Sequence, residues 1–147
     1  MKKVVATNRK ASHHYTILER MEAGIVLTGS EVKSLREGRV DISDGYITVS
    51  NGEAFMLNVH ISPYHASSDK KYDPKRERKL LLKRREIDRL MGKIKTKGLT
   101  AIPLSIYFKD GKWAKVEIGL VKGKKLIDRR EEIKRRDMER EMRRGEK

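Results

Sequence analysis

Apolar residues along this chain recur at two different periods. Between residues 13 and 29 the pattern is that of a strand. Tyr15, Ile17 and Glu19 share one face, and Ala23, Ile25 and Leu27 alternate further on. The stretch reads as one long bent strand or as two strands, with Gly24 as a bend or bulge. "YITVSNGEAFMLNV" and "LSIYFKDGKWAKVEIGLV" each set two alternating runs around a tight turn, Asn51-Gly52 and Asp110-Gly111. Those residue types accept positive φ at both central positions of a hairpin turn. Residues 30–38 read as a short helix: Ser30 can cap it, Val32 and Leu35 sit three apart, and Gly38 stops it. Residues 61–75 read as a loop. From 75 to 97 the period becomes helical, with Ile87, Leu90, Met91 and Ile94 at i, i+3, i+4 and i+7 and Gly98 as terminator.

Strands, a short helix, a hairpin, a helical insertion and a second hairpin therefore follow one another. About five or six strands in antiparallel pairs point to a small barrel with helices packed outside. The oligonucleotide-binding (OB) barrel is the nearest architecture, and another α+β sheet is the alternative. Residues 1–12 read as a basic, flexible arm, 13–122 as the barrel with helices near 30–38 and 75–97, and 123–147 as a tail.

Charge adds a partner to this picture. The chain of 147 residues carries a net +15. The final twenty residues hold sixteen charged side chains, yet nine are basic and seven acidic, so they contribute only +2. The main anion-binding surface must lie on the folded part, and nucleic acid is the commonest partner of so basic a surface. No segment pairs a basic face with a broad apolar face, which argues against a membrane surface. The N-terminus lacks the apolar stretch of a signal peptide, and no apolar run approaches the ~20 residues of a membrane span. Cysteine is absent, which fits a reducing compartment. The expectation is a soluble, cytoplasmic protein.

Catalytic chemistry is poorly signalled. "GLVKGKK" lacks the spacing and the Ser/Thr of a phosphate-binding loop. There is neither a nucleophile elbow nor a cysteine nucleophile. His13 and His14 are adjacent, so in a strand they would point to opposite faces and chelate no common metal. Asp41 and Asp44 could together hold Mg²⁺ as in a nuclease, but an Asp-rich turn before a strand explains them as well. No enzyme activity, metal or cofactor is expected. Residues 70–98 carry 13 Lys/Arg against four Asp/Glu, crowded around Leu80-Leu81-Leu82. A helix cannot bury three successive leucines on one stripe. One of them should face outward amid the basic residues, where it could pack on a base or sugar while its neighbours meet phosphates. A solvated helix face with all three leucines tucked beneath it is the competing reading.

Several long stretches, in order, resemble the SmpB family of SsrA-binding proteins: "NRKA", "EAGIVLTGSEVKSLR", "NVHISPY", "DPKRERKLLL", "KGLTAIPLSIYFKDG" and "GKKLIDRRE". The resemblance implies an OB-type barrel with flanking helices and no catalytic site. It implies binding to the tRNA-like domain of transfer-messenger RNA, and entry with it into ribosomes stalled on messages lacking a stop codon. The family's RNA-binding glutamate falls on Glu22, its apolar RNA contact on Leu81, the polar residue two positions later on Lys83, and its basic last-strand residue on Lys115. Lys83 stands where the family more often has Asn or His, implying a phosphate contact instead. His13 matches a family histidine, while His14 and Tyr72 replace a usual acid and a usual histidine. Arg76, Arg78 and Lys79 are the further basic RNA-binding candidates. A carboxylate at Glu22 makes sense as an acceptor for base N–H donors.

For the tail, the resemblance implies a segment disordered when free and helical in the message channel of the small subunit, near the decoding centre. Gly123, Lys124, Lys125, Asp128 and Arg130 match the family's motif there, with Arg129 standing in place of its Lys. Glu131–Arg135, Glu132–Arg136 and Glu139–Arg143 are i,i+4 pairs with the acid first, each stabilising a helix by about 0.2–0.5 kcal/mol. In a helix Arg129, Arg136, Arg140 and Arg143 would fall within about 60° of one another, a stripe suited to phosphates. Two other functions stay open on the residues: a structural ribosomal protein, and a Mg²⁺-dependent ribonuclease using Asp41 and Asp44.

Overall fold

A computed structural model of the chain describes residues 2–67 and 70–123. Among the described residues nine strands and three helices follow in order: β1 Lys2–Thr7, α1 Ala11–His14, β2 Tyr15–Ile25, α2 Gly29–Arg36, β3 Val40–Asp41, β4 Tyr46–Ser50, β5 Glu53–Leu57, β6 His60–Ile61, β7 Arg78–Leu81, α3 Arg84–Lys97, β8 Thr100–Lys109 and β9 Trp113–Gly123. Seven strands form one antiparallel sheet in the order β1-β8-β9-β2-β7-β5-β4, and β3 pairs with β6 separately. The sheet curls until β4 lies against β8. Gly45, just before β4, is the point of closest approach: a Cβ there would stand 2.6 Å from Val59 Cγ2 and 2.8 Å from Pro103 Cγ. Inside the curl lie Leu35, Met56, Leu80, Ile106, Phe108 and Ile118, none more than 1% exposed.

Both hairpins form at the expected turns. Asn51 and Gly52 take φ of 53° and 74°, and Asp110 and Gly111 take 54° and 69°. The β8–β9 register sets Tyr107 opposite Lys115 and Lys109 opposite Trp113. Pro103 sits at an irregularity of that ladder, where its missing N–H is tolerated; its carbonyl instead accepts from the Asn8 amide at 3.0 Å. The stretch 15–25 is one strand, and its bulge falls between Ile17 and Glu19, not at Gly24. Helix α2 starts one turn-cap earlier than Ser30. Thr28 accepts from the Glu31 N–H, and Glu31 reaches back to the Thr28 N–H, a reciprocal cap that satisfies two orphan donors.

Two expectations are corrected. Residues 2–7 are not a free arm: they pair with β8 as an edge strand, and Val5 and Ala6 pack on the core. The helix expected over 75–97 begins only at Arg84, because Arg78–Leu81 is strand β7, wedged between β5 and the end of β2. There the unpaired backbone groups of two neighbouring strands outweigh local helical propensity. The stripe on α3 is real: Ile87 and Leu90 are buried and Ile94 packs on the core. Gly98, at φ 64°, ends the helix.

Candidate nucleic-acid interface

The alternation of β7 decides which of its side chains can meet a partner. Arg78 and Leu80 point into the protein, while Lys79 and Leu81 point out. One leucine of the run does face outward, as expected, but through strand geometry and not through the angular spacing of a helix. Leu81 is 57% exposed against 1% for Leu80. It lies across Gly24, where an added Cβ would sit 3.3 Å from the Leu81 Cβ. Gly24 therefore keeps a gap open for this leucine. Gly24 is also paired to Lys115 on its other side, so Leu81, Gly24 and Lys115 form one row across three strands.

That row floors a groove of about 870 Å³. Glu22, Leu81, Lys83, Lys115 and Lys79, five residues expected to bind RNA, all line it, together with Arg20, Arg89 and three more carboxylates, Glu19, Glu53 and Glu86. Each carboxylate has a partner. Glu19 pairs with Arg89, Glu53 with Lys79 at 3.6 Å, and Glu86 accepts the Lys83 backbone N–H at 2.8 Å. The last bond fixes Lys83 as the cap residue between β7 and α3, with its side chain at the groove wall.

Glu22 is held by residues that sequence reasoning missed. The Tyr107 hydroxyl donates to Glu22 Oε2, and the Lys109 ammonium lies 3.7 Å from Oε1. The Tyr107 hydrogen bond, assisted by the charges of Lys109 and Lys115, holds the Glu22 carboxyl below its ordinary value despite partial burial. Burial and the carboxylate together push the Tyr107 phenol up. The tyrosine thus stays a donor and the glutamate stays an anion. The signal was present in the hairpin register centred on Asp110-Gly111, which puts Tyr107 opposite Lys115.

The remaining candidates lie elsewhere. His13, at the end of α1, borders a neighbouring hollow with Thr7, Arg9 and Ile17, joined to the groove through Arg20. Arg78 is fully buried, which overturns its assignment to an RNA surface. Its Nε and Nη2 donate to Glu31 Oε2 at 2.9 and 2.7 Å, Nη1 to the Val59 carbonyl at 2.6 Å, and Nη2 also to Tyr72 and the Pro74 carbonyl. Arg76 turns to the same carboxylate. Glu31, itself 1% exposed, is thus a structural acid. Tyr72, noted as a departure from the family pattern, joins this network. Asp41 Oδ1 accepts from the Ser43 N–H and hydroxyl at 2.9 and 2.6 Å, the Asp-rich turn of the simpler reading. Gly123 ends β9; Lys124, Lys125, Asp128, Arg129, Arg130, Arg136 and Arg140 lie outside the described residues.

Comparison with known proteins bears on this surface. A family model described as SmpB protein matches residues 5–147. The SsrA-binding protein of Gloeothece citriformis is 56% identical over 146 residues, covering 99% of this chain and 94% of its own length. That of Sulfurihydrogenibium sp. is 57% identical over 140 residues, with coverage of 95% and 91%. That of Mycolicibacterium smegmatis is 56% identical over 140 residues, covering 95% and 86%. A solved structure described as "tmRNA-SmpB: a journey to the center of the bacterial ribosome" holds a chain with a TM-score of 0.69 and 50% identity, covering 82% of this chain and 85% of that one.

Proposed function

The chain belongs to the SmpB family, and from that premise we propose that it binds transfer-messenger RNA and brings it to stalled ribosomes for trans-translation and rescue. The groove of Glu22, Leu81, Lys83, Lys115 and Lys79 receives the tRNA-like domain. Lysines meet phosphates, Leu81 packs on a base or sugar, and Glu22 accepts base N–H donors. The observation that carries this reading is convergence. Residues from β2, β7, the β7–α3 junction and β9, distant in sequence, line one groove. The protein acts as a binding partner and performs no covalent chemistry. Among the described residues no helix is long and apolar enough to cross a membrane, and the reading sets its work in the cytoplasm. The tail, from Gly123 onward, contacts ribosomal RNA at the decoding centre and message channel through Lys124, Lys125, Arg129, Arg130, Arg136 and Arg140, with Asp128 orienting an arginine.

Binding of transfer-messenger RNA over a range of salt concentrations tests the groove. Glu22→Ala should lose specific binding while keeping the wild-type melting curve. Lys115→Ala should weaken binding and flatten the salt dependence by about one ion. Wild-type affinity and salt slope in both variants would place the RNA elsewhere.

A further inference from the structure

We propose that the RNA surface continues past the groove onto the β8–β9 hairpin, where Trp113 stacks on an unpaired base. The proposal rests on reading the groove as an RNA site. Two large apolar side chains are the most exposed among the described residues, Trp113 at 62% and Leu81 at 57%. They are not scattered. Lys115 shares a cross-strand row with Leu81, through Gly24, and Trp113 lies two residues further along β9 on the same face. That step is about 7 Å along the strand. Burial alternates accordingly: Val116 and Ile118 point into the core, while Trp113, Lys115 and Glu117 point out.

The surroundings of Trp113 are cationic. Lys109 is its cross-strand partner, Lys2 pairs with Lys109 from β1, and Lys115 follows on its own strand. The Lys2 ammonium sits 4.1 Å from the centre of the Tyr107 ring, so it covers the face of the neighbouring aromatic and leaves the indole as the open one. Of the two strand carboxylates on this face, Glu117 is held by Arg20 at 2.7 Å and Glu22 has one oxygen on Tyr107 with Lys109 3.7 Å from the other, while Asp110 of the turn lies beside Lys109. An open indole amid three lysines, continuous with a groove that already offers an apolar side chain between cations, suits a nucleic acid. Lysines hold the backbone while the ring accepts a base, a contact that tolerates any sequence because every base has a π face. A protein partner would need apolar or acidic complementarity to this corner.

Trp113 is the chain's single tryptophan, so its fluorescence reports on this position alone. Titrating the full chain with full-length transfer-messenger RNA should quench the emission in step with binding measured by filter retention. Trp113→Ala should weaken binding about tenfold without changing its salt slope, since no phosphate contact is lost. Trp113→Phe should keep most of the affinity, and both should melt with the wild type because the side chain carries no core packing. RNA that binds with wild-type, Glu22-dependent affinity while emission and Trp113→Ala binding stay unchanged would overturn the stacking and spare the groove. Emission that responds to ribosomes but not to the RNA would overturn it as well, assigning Trp113 to a ribosomal contact. Failure of the RNA to bind at all would remove both readings.

Discussion

Replacing Arg78 by Met separates a structural cation from an RNA-binding one. By sequence, Arg78 belongs to the most basic stretch of the chain and looks like a phosphate ligand. In the fold its guanidinium is fully buried and donates to Glu31, Tyr72 and the carbonyls of Val59 and Pro74. Met fills similar volume but donates nothing. Glu31 would keep Arg76 and the Thr28 N–H, yet lose its only fully buried cation. Breaking one half of a buried pair costs about 3–5 kcal/mol; Arg76 offsets part of the charge left on Glu31, but the Val59 and Pro74 carbonyls also lose their donor. For a folded unit of this size that loss lowers the melting temperature by roughly 10–20 °C. Urea unfolding at pH 7 should therefore give Arg78→Met a midpoint well below wild type with an unchanged slope. Filter binding well below the transition should give wild-type affinity for transfer-messenger RNA and an unchanged salt slope. The reasoning is refuted if the variant unfolds like wild type, or if it is folded and its salt slope falls by one.

The other expectations concern acid, packing and the tail. Burial would raise the Glu31 carboxyl, but donors from Arg76, the Thr28 backbone and Arg78 outweigh it and hold the value at about 2 against an ordinary 4.5. The folded value lies below the unfolded one, so the stabilisation is complete above pH 4.5 and lost as pH falls toward 2. At 1.36 kcal/mol per unit this is on the order of 3 kcal/mol, and the acid limb of Glu31→Gln should be flatter than wild type by about that amount. Gly24→Val puts a branched side chain where a Cβ alone already stands 3.3 Å from Leu81; displacing Leu81 should weaken RNA binding several-fold, checked by titration, with the core face of β2 intact. Truncation after Lys122 should leave melting and RNA affinity near wild type yet abolish peptide tagging on stalled ribosomes. If RNA binding weakens instead, and excess protein restores tagging, the tail is only a non-specific RNA anchor.

The parts of the fold legible in the sequence were those written in local chemistry. Asn51-Gly52 and Asp110-Gly111 announced their turns because few residues accept positive φ twice in succession. The α3 stripe announced itself through its 3.6-residue period. The register of β7 was not legible, since "RKLLLKRRE" contains helix formers and its strand state is imposed by β5 and β2, neither of them local. That one error misplaced Arg78. Read as helix, 78 and 79 are only about 100° apart and can border the same basic surface; read as strand, they lie on opposite faces. The edge strand β1 was missed for a related reason. "MKKVVAT" is basic and short, and only the free edge of β8 gives its backbone a partner. Within the groove, Glu22 and Lys115 came from a resemblance to a family, whereas Tyr107 would have followed from counting back along the hairpin.

Two glutamates show why charge alone could not have separated the roles. A carboxylate offers about four acceptor positions. In Glu31 they are consumed by two arginines, a tyrosine and a backbone N–H, all inside the protein, and nothing is left for a ligand. In Glu22 one oxygen takes the Tyr107 hydroxyl, while Lys109 approaches the other no closer than 3.7 Å, beyond hydrogen-bond length. That oxygen keeps its acceptor capacity, and Tyr107 orients the carboxylate without exhausting it. In a protein of net charge +15, affinity for RNA needs no further help from Glu22, and a carboxylate near phosphates opposes it. On the RNA reading proposed above, what the carboxylate adds is discrimination: it would favour an RNA that presents N–H donors at this point of the groove and penalise one that presents a phosphate or a carbonyl. Glu22→Gln should accordingly bind transfer-messenger RNA less selectively against bulk tRNA while its affinity for bulk tRNA rises, measured by competition. Equal losses for both RNAs would mean that Glu22 supports the shape of the groove and reads nothing.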